Sequence, residues 1–118
     1  MDIPLLKQGR LLIASVQTDI TDADFDAFTL KLMEELGRHR IRGVIIDVTH
    51  LDMVDSYGAR TLRDLALMAK IRGAQLVVVG VQPDVALTMV QLGLTLEGVT
   101  TALDLEEGIE LLKDQVIG

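Results

Sequence analysis

Cysteine is absent from this 118-residue chain, which removes disulfides, thiolate nucleophiles and sulfur-bound metal sites from consideration. Tryptophan is also missing, and the aromatic residues number three: Phe25, Phe28 and Tyr57. Any core must therefore be aliphatic. Cations are the minority, with 11 Lys and Arg against 18 Asp and Glu, a net charge of −7. Phosphate backbones are held by clustered cations, so this balance argues against nucleic acid as a partner. The one basic cluster, Arg38, Arg40 and Arg42, falls near the end of a helical stretch, where the macrodipole favours cations. Apolar runs are no longer than a strand, so neither a signal peptide nor a membrane span is expected. The expected setting is cytoplasmic, without a membrane partner.

What is present fits one folded domain spanning residues 1–118. Hydrophobic residues make up 49% of the chain while charged residues still supply 25%, the mixture of a folded chain and not of a disordered one. The mean hydropathy of +0.38 is high. It fits either apolar surface reserved for a partner or a second copy, as in a homodimer, or a core rich in Ala, Val and Leu.

Residues 3–14 read as two short strands around a Gly9 turn, with Pro4 suited to an edge. Thr21 is placed to cap a helix with Asp22, Asp24 and Asp26 at its positive end, and Phe25, Phe28, Leu32 and Leu36 form its apolar stripe. Helix-end electrostatics account for those aspartates without a metal. Gly43-Val44-Ile45-Ile46-Asp47-Val48 is a β-branched run expected of a strand buried on both faces. A second helix is expected over residues 56–71, with Leu62, Leu65, Ala66 and Ala69 facing inward and Gly73 ending it. Residues 75–79 form another buried strand, and Pro83 opens a short helix that stops near Gly93. A brief strand over 99–102 precedes a final helix, opened by Asp104 with Glu107 three positions on and striped by Leu105, Ile109, Leu112 and Val116. The fold class is α/β: a mixed sheet in the order β-β-α-β-α-β-α-β-α, its first pair an antiparallel hairpin and its later strands parallel.

Catalytic equipment is sparse. His39 and His50 lack partners at ligand spacing, and no phosphate loop, nucleophile elbow or zinc pattern occurs. No enzyme activity, cofactor or metal is expected. The informative segment is Asp52-Met53-Val54-Asp55-Ser56-Tyr57-Gly58-Ala59-Arg60-Thr61-Leu62. It leaves a buried strand and opens a helix, which places it at the carboxyl-end rim of the sheet, where ligands and partners meet. Ser56 is positioned to cap that helix, and capping alone could account for it. Gly58 is less easily explained, because glycine inside a helix costs about 1 kcal/mol relative to alanine. It implies close approach by a neighbouring strand or by another protein. Tyr57 projects from the first turn as either a contact residue or a piece of core.

Asp55-Ser56-Tyr57-Gly58 followed by Leu62 resembles the Asp-Ser-x-Gly signature of the STAS domain family, the SpoIIAA-like anti-anti-sigma-factor fold. The element order matches over essentially the whole chain. Residues 44–48, 52–56, 80–86, 92–94 and 101–106 further resemble the small scaffold proteins of the bacterial stressosome. The resemblance implies that Ser56 is phosphorylated by an RsbT-like serine/threonine kinase. Asp52, Asp55, Ser56, Tyr57 and Gly58 would form the surface that binds it. It also implies assembly with RsbR-like STAS paralogues in a large hetero-oligomer. Those paralogues carry an N-terminal sensor region, whereas this sequence starts directly at its first strand, which favours the scaffold type. The same fold would also serve a free anti-anti-sigma factor that binds an anti-sigma kinase one-to-one. A receiver-like phosphoacceptor using Asp47 and Mg²⁺ would need an acidic pair after the first strand and a lysine after a late one; neither is evident.

Overall fold

The computed structural model describes residues 2–117. Its elements are β1 (Leu5–Gln8), β2 (Leu11–Ser15), α1 (Asp22–Arg38), β3 (Gly43–Asp47), α2 (Ser56–Ile71), β4 (Gln75–Val79), α3 (Pro83–Gln91), β5 (Thr100–Ala102) and α4 (Leu105–Ile117). The five strands lie in the order β1-β2-β3-β4-β5. β1 and β2 form an antiparallel hairpin in which Leu6 faces Ile13, turning through Gly9 at φ +61°. The remaining pairs are parallel, with Val44 between Leu12 and Leu76 in register. The mixed sheet and element order expected from the sequence are both present.

Side chains alternate across a strand, and the two faces of this sheet bury unequal partners. Leu12, Ala14, Val44, Ile46, Leu76 and Val78 point toward α1, α2 and α3, where they meet Phe28, Leu32, Leu62, Leu65 and Met89 in the larger core. Leu11, Ile45, Val77 and Val79 point the other way and meet Leu112 of α4. This two-sided burial is why β3 and β4 read as unbroken β-branched runs. Each fully buried Leu or Ile contributes about 1.5–3 kcal/mol relative to exposure. Among the described residues no helix is long and apolar enough to cross a membrane.

α4 corrects one expectation. Its buried line is Gly108, Leu112 and the half-buried Val116, whereas Leu105 and Ile109 are 36% and 42% exposed. The cause is Gly108, where a Cβ would lie 2.7 Å from Val79 Cγ1. Without a side chain there, the helix backbone presses directly onto β4, and this contact rotates the expected apolar stripe partly into solvent.

Candidate functional site

β3 ends at Asp47, whose carboxylate accepts hydrogen bonds from the Thr49 backbone amide (2.9 Å) and hydroxyl (2.6 Å). This local turn carries the chain off the carboxyl edge of the sheet. Gly80, at the end of β4, makes room for it: φ is +80°, and a Cβ would sit 2.1 Å from Thr49 Oγ1. The Gln82 side-chain amide also donates to the Thr49 carbonyl. Leu51 and Val54 then anchor the loop in the core, which turns Asp52 and Met53 outward; Met53 is 70% exposed. Asp47 is thus engaged by its own loop. Among the described residues no three His, Cys, Asp or Glu side chains gather to hold a metal. His39 pairs with Glu35 at 3.3 Å, and His50 stands exposed in the loop.

At the mouth of α2 the expected cap moves by one residue. Asp55, not Ser56, is the N-cap: its backbone is extended (φ −89°, ψ −178°) and its carboxylate accepts from the Gly58 amide at 2.8 Å. Both residue types cap well, but a carboxylate adds a favourable charge at the positive helix end. Ser56 is consequently the first helical residue, and it is exposed. Among the described residues no hydrogen bond engages its hydroxyl.

Tyr57 is half-buried against the larger core, and its hydroxyl donates to the Asp26 carboxylate on α1. That hydrogen bond is the leading reason its phenol is held above its ordinary pKa of 10.0; desolvation and the charges of Asp26 and Asp22 act in the same direction, and Arg60 opposes them. The Arg60 guanidinium lies 5.8 Å from the Tyr57 ring centroid. Gly58 is buried and faces inward. A Cβ there would meet Asp55 Oδ1 at 3.4 Å, Val54 at 3.6 Å and Phe25 at 3.7 Å, so a methyl group fits.

The fold therefore brings Asp52, Asp55, Ser56 and Tyr57 onto one rim and leaves Gly58 beneath it. Beside them a small cleft is lined by Ile20, Asp22, Met53 and Asp55, among others. Three further residues belong to the rim. Arg60 carried a sequence signal, its spacing of four from Ser56. Met53 carried another, an apolar residue flanked by loop polar groups. Asp26 had none, because its contact with Tyr57 spans 31 residues.

The topology and this helix mouth define a class. The chain belongs to the STAS domain family, whose model matches residues 2–108. More particularly, it is similar to stressosome proteins. A serine-to-glutamate variant of RsbS from Moorella thermoacetica superposes with a TM-score of 0.81 at 29% identity, covering 95% of each chain. A chain from the molecular architecture of the stressosome, described as a signal integration and transduction hub, gives 0.77 at 31% identity, covering 94% of this chain and 96% of that one. The RsbT co-antagonist protein RsbRA of Bacillus subtilis (strain 168) is 32% identical over 79 residues, which are 67% of this chain and 29% of that protein. The chain thus matches less than a third of that relative's length. Likeness to unphosphorylated SpoIIAA, an anti-sigma factor antagonist (TM-score 0.72, 14% identity), bears on the fold alone.

Proposed function

We propose that this chain is a non-enzymatic stressosome scaffold that holds an RsbT-like serine/threonine kinase at the α2 rim and releases it when Ser56 is phosphorylated. The observation that carries this reading is the division of labour at the helix mouth. Asp55 holds the cap, so the exposed Ser56 hydroxyl is left available to an enzyme. In the transfer, Ser56 Oγ attacks the γ-phosphorus of a kinase-bound ATP. The bond to ADP breaks, and the hydroxyl proton passes to a base on the kinase.

The product is phosphoserine at the first helical position, carrying roughly −1.5 to −2 charges. Helix N-termini accept anions, so the fold survives. The docked partner does not accept the change. A surface fitted to a neutral hydroxyl beside Asp52 and Asp55 meets a dense, strongly hydrated anion instead. A penalty of about 2.7 kcal/mol weakens binding a hundredfold, which is enough for release without unfolding. Likeness to RsbS and to a stressosome chain supports assembly with RsbR-like paralogues. In that assembly the exposed Leu30, Met33, Leu67 and Ile71 of α1 and α2 offer apolar surface.

The test is gel filtration of the chain with its cognate kinase, before and after ATP. The two co-elute before ATP and separate after it, while the Ser56→Ala chain keeps its kinase throughout. Release from Ser56→Ala on addition of ATP would contradict the proposal.

A further inference from the structure

The mouth of α2 also holds a built-in response to the modification. On a helix, residues four apart share a face, so Arg60 stands one turn beyond Ser56 with Arg63 a further turn on. All three are exposed. The Arg60 guanidinium now lies over the Tyr57 ring, and Tyr57 is fastened to α1 through Asp26. Apart from the positive helix end itself, a phosphate on Ser56 is flanked along the chain by acidic groups. The Gly58 amide is already bound by Asp55, Asp52 and Asp55 lie close by in sequence, and Asp22 and Asp26 of α1 act on the adjoining Tyr57. In residues 56–63 the only cations are Arg60 and Arg63.

We propose that Arg60 is the internal receptor for the Ser56 phosphate, leaving the face of Tyr57 to pair with the new dianion. Guanidinium is the side chain best matched to phosphate, with two parallel donors and a charge-assisted bond. An exposed cation–aromatic contact is the weaker of the two competing interactions. Phosphorylation then changes the rim twice: an anion arrives at Ser56, and the cation over Tyr57 is withdrawn and neutralised. A partner that reads both residues loses both features together. This deepens the proposed function and rests on Ser56 as the modified residue.

Phosphoserine placed at position 56 by genetic-code expansion separates the two ideas, because no kinase is involved. In a ³¹P NMR titration, the midpoint of the second phosphate ionisation falls about half a unit lower with Arg60 than in Arg60→Gln, as a nearby opposite charge requires. Arg60→Lys gives an intermediate midpoint, and Arg63→Gln matches the parent. Phosphorylation also shifts the Tyr57 ring protons toward their positions in unphosphorylated Arg60→Gln, and shifts them much less when Arg60 is already gone. Equal midpoints in the parent and Arg60→Gln overturn the proposal, as does a rise in Arg63→Gln alone. If a kinase leaves Ser56 unmodified, the scaffold reading fails, but this titration still gives its answer.

Discussion

Two helices of this protein open with a hydroxyl residue close to aspartate, and they use them in opposite ways. At α1 the hydroxyl is the cap. Thr21 Oγ1 accepts from the Asp24 amide at 3.1 Å, and the Asp24 carboxylate accepts from the Thr21 amide at 2.9 Å, closing a reciprocal box. At α2 the carboxylate is the cap, and Ser56, the first helical residue, is exposed. The difference is one of order along the chain. Where threonine precedes the helix its oxygen is committed to the fold; where aspartate precedes it, the serine one step inside is left outside the cap. Capping and modification need the same atom, and under the proposed function α2 would separate the two tasks onto neighbouring residues.

Mutations can break or sharpen this contrast. The largest effect is expected at Ser56. Ser56→Glu should weaken binding of the RsbT-like kinase about a hundredfold by calorimetry, with little change in the unfolding midpoint, whereas Thr21→Ala should leave kinase affinity unchanged. Next come the caps themselves. Asp55→Ala and Thr21→Ala should each lose about 1 kcal/mol in urea unfolding, equivalent to roughly 4 °C in Tm for a chain of this size. Asp55→Asn keeps an acceptor and should recover most of the loss. A smaller effect belongs to Gly58. Because a methyl group fits, Gly58→Ala should be neutral or stabilising by up to about 1 kcal/mol, so a large loss of stability would show that the mouth of α2 is packed more tightly than its distances indicate.

The smallest effect is alkaline. The neutral Tyr57 phenol donates to Asp26, and its folded pKa lies above the unfolded value near 10. Its contribution is therefore complete below about pH 10 and is lost as pH rises through the folded pKa. The sole tyrosine should ionise late when followed by ultraviolet absorbance. Asp26→Asn should bring its titration back toward the ordinary value.

The sequence carried much of this organisation in local form. Thr21, Pro83 and Gly73 marked helix ends that lie where their chemistry requires, and the Val/Ile runs of β3 and β4 announced strands covered on both sides. Local chemistry could not choose between adjacent cappers at Asp55 and Ser56, since either can close the first turn. Nor could periodicity reveal that Gly108 turns α4 onto Val79, because hydropathy scoring gives no weight to an absent side chain. Tyr57 shows the same limit. Its tether to Asp26 is a tertiary contact, and only the packing of α1 beside α2 brings the two together.

Size separates the assembled scaffold from a free antagonist acting one-to-one. Light scattering of a mixture with an RsbR-like paralogue should show a megadalton-scale particle for the scaffold, and a small complex would favour the antagonist. The most direct measurement concerns the spared hydroxyl itself: phosphopeptide mapping after incubation with the cognate kinase and ATP. One phosphate is expected, on Ser56, with Thr21 unmodified and Ser56→Ala left blank. Phosphate uptake by Ser56→Ala as complete as in the parent would contradict it.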